Sequence, residues 1–85
     1  MKNVTVYTGL MCSFCDAAKR LLVRNNIPYN EINIALEEGK MDEMLKKSNG
    51  RRTIPQIFFD KLHIGGYQEL RDLEKKGELN KLLSN

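Results

Sequence analysis

No stretch of this chain approaches the ~20 consecutive apolar residues that a helix needs to cross a bilayer. A membrane-spanning protein is therefore not expected. Like charges never gather into a run of about five or six, and 14 Lys+Arg interleave with 11 Asp+Glu to leave a formal net charge of +3. That is a mixed-charge surface with no nucleic-acid footprint. Internal repeats, linkers and low-complexity tracts are missing too, and 85 residues leave room for one hydrophobic core. The expectation is one domain over residues 1–85, without a second module.

Cysteine and histidine are scarce: Cys12, Cys15 and a lone His63. A structural zinc site normally takes four ligands, so one Cys pair and one His fall short. A stabilising disulfide in a small secreted protein usually joins distant segments and has companions. The Cys12/Cys15 pair is better read as chemical than as architectural, with zinc or two inert buried cysteines as weaker alternatives. The residues Met1-Lys2-Asn3-Val4-Thr5-Val6-Tyr7 alternate as a strand does rather than as a signal sequence, so a cytoplasmic protein is expected.

What is present reads as an alternation of strands and helices. Val4 to Tyr7 is β-branched and aromatic, and it ends at the turn-forming Thr8-Gly9. From Ser13, the residues Phe14, Ala17, Ala18, Leu21 and Leu22 recur at helical spacing until Asn25-Asn26 and Pro28 stop them. Tyr29 to Ile34 is extended, and a second helix is predicted from Leu36 to Lys47, closed by Ser48-Asn49-Gly50. Ile54 to Phe59 and Leu62 to Ile64 flank Asp60-Lys61 as a hairpin. Gly65-Gly66 precedes a helix through Tyr67, Leu70 and Leu73, and Gly77 separates off a short tail helix.

The predicted order is βαβαββα plus that tail. A βαβ start requires parallel strands and the closing hairpin is antiparallel, so the economical solution is a mixed four-stranded sheet flanked by helices. This α/β arrangement is a thioredoxin-like fold.

The strand–turn–helix context gives the cysteine pair its chemistry. Thiol–disulfide exchange needs the thiolate, and a free cysteine with a pKa near ~8.5 is mostly protonated at neutral pH. A residue at a helix N-terminus meets unsatisfied N–H groups and the positive end of the dipole, which favour the anion. Cys12 holds that position, and Cys15, one turn on, lies where it could resolve a mixed disulfide. Pro55 marks a strand entry. Were the Ile54–Pro55 bond cis, the Ile54 backbone could face a peptide-like substrate; a trans proline that simply opens the strand is the alternative. Gly65-Gly66 allows positive φ or close approach of a ligand, or is a plain turn.

Cys12-Ser13-Phe14-Cys15 after a first strand, Thr53-Ile54-Pro55, and Gly65-Gly66 before the last main helix together resemble the glutaredoxin family, dithiol class of bacterial type. The resemblance spans Val4 to about Leu83. It implies a glutathione-dependent oxidoreductase that reduces glutathione mixed disulfides and protein disulfides, with Cys12 as attacking and Cys15 as resolving thiol. Glutathione would be a cosubstrate and no cofactor would be tightly bound. It implies a cis Pro55, pairing of the Ile54 backbone with the cysteinyl part of glutathione, and contacts from Phe14, Thr53, Gly66, Tyr67 and Gln68. The partners would be glutathione and glutathionylated or disulfide-bonded proteins, met by a monomer.

Three positions depart from the family's pattern. Ser13 stands where proline often follows the first cysteine, Gly9 where a lysine often precedes it, and Gln68 where an aspartate commonly follows the glycines. Arg51, Arg52 or Lys47 are candidates to replace the missing cation. Two alternative functions accompany the main one: a dimeric carrier of a glutathione-ligated [2Fe–2S] cluster, and an electron donor reduced by thioredoxin reductase. His63 is read as an edge-strand or surface residue with no catalytic role.

Overall fold

The computed structural model describes residues 1–84. Eight elements follow one another: β1 (Val4–Thr8), α1 (Ser13–Arg24), β2 (Asn30–Asn33), α2 (Lys40–Lys47), β3 (Gln56–Phe59), β4 (Leu62–Gly65), α3 (Tyr67–Lys76) and α4 (Leu79–Leu83). The strands form one mixed sheet in the order β2-β1-β3-β4. β1 runs parallel to β2 and antiparallel to β3, and the β3–β4 hairpin is antiparallel with an irregularity between Ile57 and Phe58. This is the thioredoxin-like fold expected from the sequence.

Strand side chains alternate between faces, and the alternation divides the core in two. Val4 and Val6 of β1 join Ile57 and Phe59 of β3 against Ala18, Leu21 and Leu22 of α1, Leu70 of α3, and Leu79 and Leu83 of α4. Tyr7 and Phe58 point the other way, onto Met44 of α2, with Ile32, Ile34, Met41 and Ile54 around them. Burial of the Tyr7 phenol and its hydrogen bond to Glu43 push its ionisation up, out of the usual phenol range. The Tyr7 hydroxyl and Lys40 hold the Glu43 carboxyl below its ordinary value.

Several boundaries differ from the sequence expectation, each for a local reason. The second helix begins at Lys40, not Leu36, and Leu36 is 74 % exposed. Asn33 turns the chain first: its side-chain oxygen accepts from Ala35 N–H, and its carbonyl accepts from Leu36 and Glu37 N–H. Gly39 then enters the helix at φ +79°, a left-handed conformation that suits glycine. Ile54 and Pro55 lie outside β3, and Ile34 outside β2, although Ile34 N–H still bonds the Thr8 carbonyl. Phe14, counted with the apolar face of the first helix, is 62 % exposed; Cys15 is buried on that face instead. Asn85, the last residue of the expected domain, lies outside the described residues.

Candidate active site

β1 delivers the chain to the C-terminal edge of the sheet, and the next turn carries it into α1. Cys12 is the N-cap of α1, with extended backbone (φ −115°, ψ 99°), and its sulfur accepts the Cys15 N–H at 3.1 Å. One of the amides that a helix leaves unsatisfied at its start is thereby used to hold sulfur. Cys12 and Cys15 are joined as a disulfide with their Cα atoms 5.2 Å apart. Cys15 is only 2 % exposed, whereas Cys12 is half-buried and approachable. The two sulfurs thus differ in access. Leu10, Met11 and Phe14 are all exposed around the pair.

The loop before β3 comes up beside this sulfur. The Ile54–Pro55 bond is cis, and the Ile54 carbonyl oxygen lies 3.8 Å from Cys12 Sγ. The Ile54 side chain occupies the space over Gly9, where a Cβ would stand 2.6 Å from Ile54 Cδ1. The absence of a side chain at Gly9 and the size of Ile54 are therefore two halves of one packing arrangement. On the far side, Gly66 passes close to the same loop, and a Cβ there would meet the Pro55 carbonyl at 3.4 Å. Gly65 has φ +119°. The glycine pair lets the chain turn from β4 into α3 immediately under the proline.

A cavity of about 230 Å³ opens between these elements, lined by Phe14, Arg51, Thr53, Ile54, Pro55, Gly66, Tyr67, Gln68 and Glu69. Phe14, Thr53, Ile54, Pro55, Gly66, Tyr67 and Gln68, the residues that the resemblance singled out for glutathione, all lie on this one wall. The Phe14 and Tyr67 rings stack across it, with centroids 5.7 Å apart and planes 26° apart.

Two further residues enter the lining, Arg51 and Glu69. The Glu69 carboxylate accepts the Gly66 N–H at the start of α3 and lies 3.8 Å from the Arg51 guanidinium. A Glu three positions after a helix cap is a known start signal, so Glu69 was findable from the sequence, but its place in the cavity wall was not. Of the three candidate replacement cations, Arg51 lines the cavity; Lys47 lies over the Tyr7 ring, 5.8 Å from its centroid. The Gln68 amide donates to Asp72 along α3 at 3.0 Å. Among the described residues no three His, Cys, Asp or Glu side chains gather at one point, and no helix is long and apolar enough to cross a membrane.

The arrangement offers a capped, accessible sulfur, a buried second sulfur within disulfide reach, and an adjacent cleft with backbone edges, an aromatic stack and a cation. That is equipment for exchanging disulfides with a small peptide. Comparison with known proteins agrees. Residues 4–64 match the family model described as Glutaredoxin. Glutaredoxin 1 of Rickettsia conorii is 43 % identical over all of this chain and 84 % of its own length. Glutaredoxin 3 of Escherichia coli is 43 % identical over 98 % of this chain and 99 % of its own. Among solved structures, glutaredoxin from Brucella melitensis superposes with a TM-score of 0.82 at 41 % identity, over 98 % of this chain and 89 % of that one. A buckwheat glutaredoxin–glutathione complex gives 0.84 at 26 %, over 96 % and 76 %. With a family match over most of its length and relatives this similar end to end, the chain belongs to the glutaredoxin family of thiol–disulfide oxidoreductases.

Proposed function

We propose that this protein reduces glutathione mixed disulfides, and protein disulfides, with glutathione as cosubstrate and Cys12 as the attacking sulfur. The observation that carries the reading is the placement of Cys12: its accessible sulfur caps α1 within 3.8 Å of the Ile54 carbonyl, and Ile54 lines the adjoining cavity. Capping by the Cys15 N–H and the positive end of the α1 dipole favour the thiolate over the thiol.

In the first step the Cys12 thiolate attacks the glutathione sulfur of a mixed disulfide. A Cys12–glutathione disulfide forms, and the protein sulfur leaves as a thiolate that takes up a proton. A second glutathione thiolate then attacks the glutathione sulfur on Cys12, releasing oxidised glutathione and restoring the Cys12 thiolate. For a protein disulfide, Cys12 forms the mixed disulfide with the protein. Cys15 then loses its proton, attacks Cys12 and expels the second protein thiolate, which leaves the Cys12–Cys15 disulfide. Two glutathione molecules reduce that disulfide and become one oxidised glutathione.

The cavity suits the tripeptide. Ile54 presents backbone beside the sulfur, with Thr53 and Pro55 on either side of it, and the Phe14–Tyr67 stack offers an apolar wall. Arg51 is placed to meet one glutathione carboxylate. The N–H groups of Tyr67 and Gln68, which open α3 without partners in their own helix, are placed to meet the other, beside Gly66. The same reading makes residues 1–85 one functional unit acting as a monomer in the cytoplasm, where a reducing environment keeps such a thiol pair cycling. A [2Fe–2S] cluster would have to draw ligands from outside the chain, since Cys12 is its one accessible cysteine among the described residues; no step here passes through a cluster.

A coupled assay with glutathione, glutathione reductase and a small mixed disulfide tests the proposal. Cys12→Ser should have no turnover. Cys15→Ser should retain turnover on the mixed disulfide and lose it on a protein disulfide. Full activity in Cys12→Ser would refute the assignment.

A further inference from the structure

Gln56 opens β3 with its side chain fully buried beneath the Thr53–Pro55 loop. Its Nε2 donates to the Thr53 carbonyl at 2.9 Å and to the Thr53 hydroxyl at 3.0 Å. Its Oε1 lies 2.6 Å from His63 Nε2, on β4. A primary amide donates only through nitrogen and accepts only through oxygen. With the nitrogen committed to a carbonyl, the oxygen faces the imidazole, and His63 Nε2 must carry the proton. His63 is held by stacking on Phe58, with ring centroids 4.8 Å and planes 21° apart. Burial and the Arg51 charge lower its ionisation from the ordinary imidazole value, with Glu69 acting against them, so the neutral Nε2–H tautomer is the form at neutral pH.

The consequence reaches the active site through one peptide plane. The cis bond in this loop is Ile54–Pro55; the preceding Thr53–Ile54 peptide is trans, so its C=O and N–H point to opposite sides. Holding the Thr53 carbonyl inward on Gln56 turns the Ile54 N–H outward. Ile54 lines the cavity and Gln56 does not.

We infer that His63 is a positioning residue: acting through Gln56, it fixes the Thr53–Ile54 peptide so that the Ile54 N–H is offered to the backbone of the substrate tripeptide. This rests on reading the cavity as a glutathione site. Without the His63 donor, the buried Gln56 oxygen loses its partner, and the amide gains by rotating to find another, which releases the Thr53 carbonyl.

The test compares wild type with His63→Leu, which removes the donor, and His63→Gln, which keeps an N–H donor at similar reach. In the coupled assay, His63→Leu should raise KM for a small glutathione mixed disulfide about five- to tenfold, the effect of one hydrogen bond. Its kcat and the alkylation rate of Cys12 should change less than about twofold. His63→Gln should return KM to within about twofold of wild type. An unchanged KM in His63→Leu, or equal impairment in His63→Gln, overturns the inference, because a merely structural role would not be rescued by a donor.

Two NMR measurements keep the question open to refutation if a variant misfolds. In the unaltered protein, long-range proton–nitrogen spectra should show His63 as the Nε2–H tautomer; the Nδ1–H tautomer overturns the inference. Titration with unreactive S-methylglutathione should shift the Ile54 amide resonance. No shift in wild type refutes the glutathione reading itself. The same shift at the same concentrations in wild type and His63→Leu refutes only the role of His63.

Discussion

Two helices begin at the active site, and they satisfy their first amides in opposite ways. At α1 the cap is the Cys12 sulfur, which accepts the Cys15 N–H; at α3 a carboxylate, Glu69, folds back onto the Gly66 N–H. On the proposed mechanism the first group changes its bonding during turnover, from thiolate to mixed disulfide and, with a protein disulfide as substrate, to the Cys12–Cys15 bond. The second keeps its bonds throughout. The Phe14–Tyr67 stack joins the two starts across the cavity. On that mechanism one structural device has two uses: the α1 terminus stabilises a reacting anion, and the α3 terminus holds a fixed one that shapes the cleft.

The largest effect comes from giving α1 a cap that cannot react. Aspartate is among the preferred N-cap residues, so Cys12→Asp should keep the bond from the Cys15 N–H while removing all turnover. Urea denaturation under reducing conditions should show it more stable than Cys12→Ala by about 1 kcal/mol. If Asp and Ala prove equally stable, the side chain at position 12 does not cap α1, and the contrast between the two termini fails.

The α1 start was legible in the sequence because its parts are local. Val4 to Tyr7 alternates, Cys12 precedes a helical pattern, and Cys15 sits one turn on, so neighbours alone placed both sulfurs. That the sheet is mixed followed from the same logic, since a βαβ start needs parallel strands and a hairpin antiparallel ones, whereas its strand order β2-β1-β3-β4 came only with the structure. The α2 start was misread because Leu36 extends the apolar period, whereas the Asn33 turn and Gly39 conformation that exclude it depend on backbone geometry. The α3 side of the cleft was half legible: the glycines and Tyr67 could be named, but not the Arg51–Glu69 contact across the cavity. Nor could spacing reveal Gln56 and His63 as partners, for the irregularity between Ile57 and Phe58 alters the hairpin register between them.

An intermediate effect concerns what holds the two helices together away from the sulfur. Arg24, in the last turn of α1, grips Glu74 of α3 with two bonds of 2.8 and 2.9 Å, and Asn25 adds a third at 2.7 Å. Arg24, together with Asn25 and nearby Arg71, holds the Glu74 carboxyl at about 2 against the cost of its burial. The folded value lies below the unfolded one near ~4.3, so this stabilisation is fully present above ~4.3 and disappears as pH falls toward 2. Arg24 is half exposed, and solvent screening keeps the contribution small. Urea midpoints measured from pH 6 down to pH 2 should fall less steeply for Glu74→Gln than for wild type. If Glu69→Gln flattens the profile instead, the acid-sensitive link between the helices lies at the cleft, and the division between a working end and a holding end is wrong.

The smallest effect tests whether the fixed anion of α3 is more than a cap. Glu69→Gln keeps an oxygen to accept the Gly66 N–H but removes the charge that faces Arg51. The ion pair is long, at 3.8 Å, and both side chains are nearly half exposed, so its loss together with the charge–dipole contribution should cost about 0.5 kcal/mol. Substrate binding is the more informative readout. A carboxylate in the cavity wall repels the carboxylates of glutathione and draws Arg51 toward itself; removing its charge should lower KM for a mixed disulfide about twofold, with kcat unchanged. A rise in KM would reverse the assignment. Glu69 would then be the partner of the γ-glutamyl ammonium of glutathione, and the α3 terminus would recognise substrate as directly as the α1 terminus is proposed to react with it.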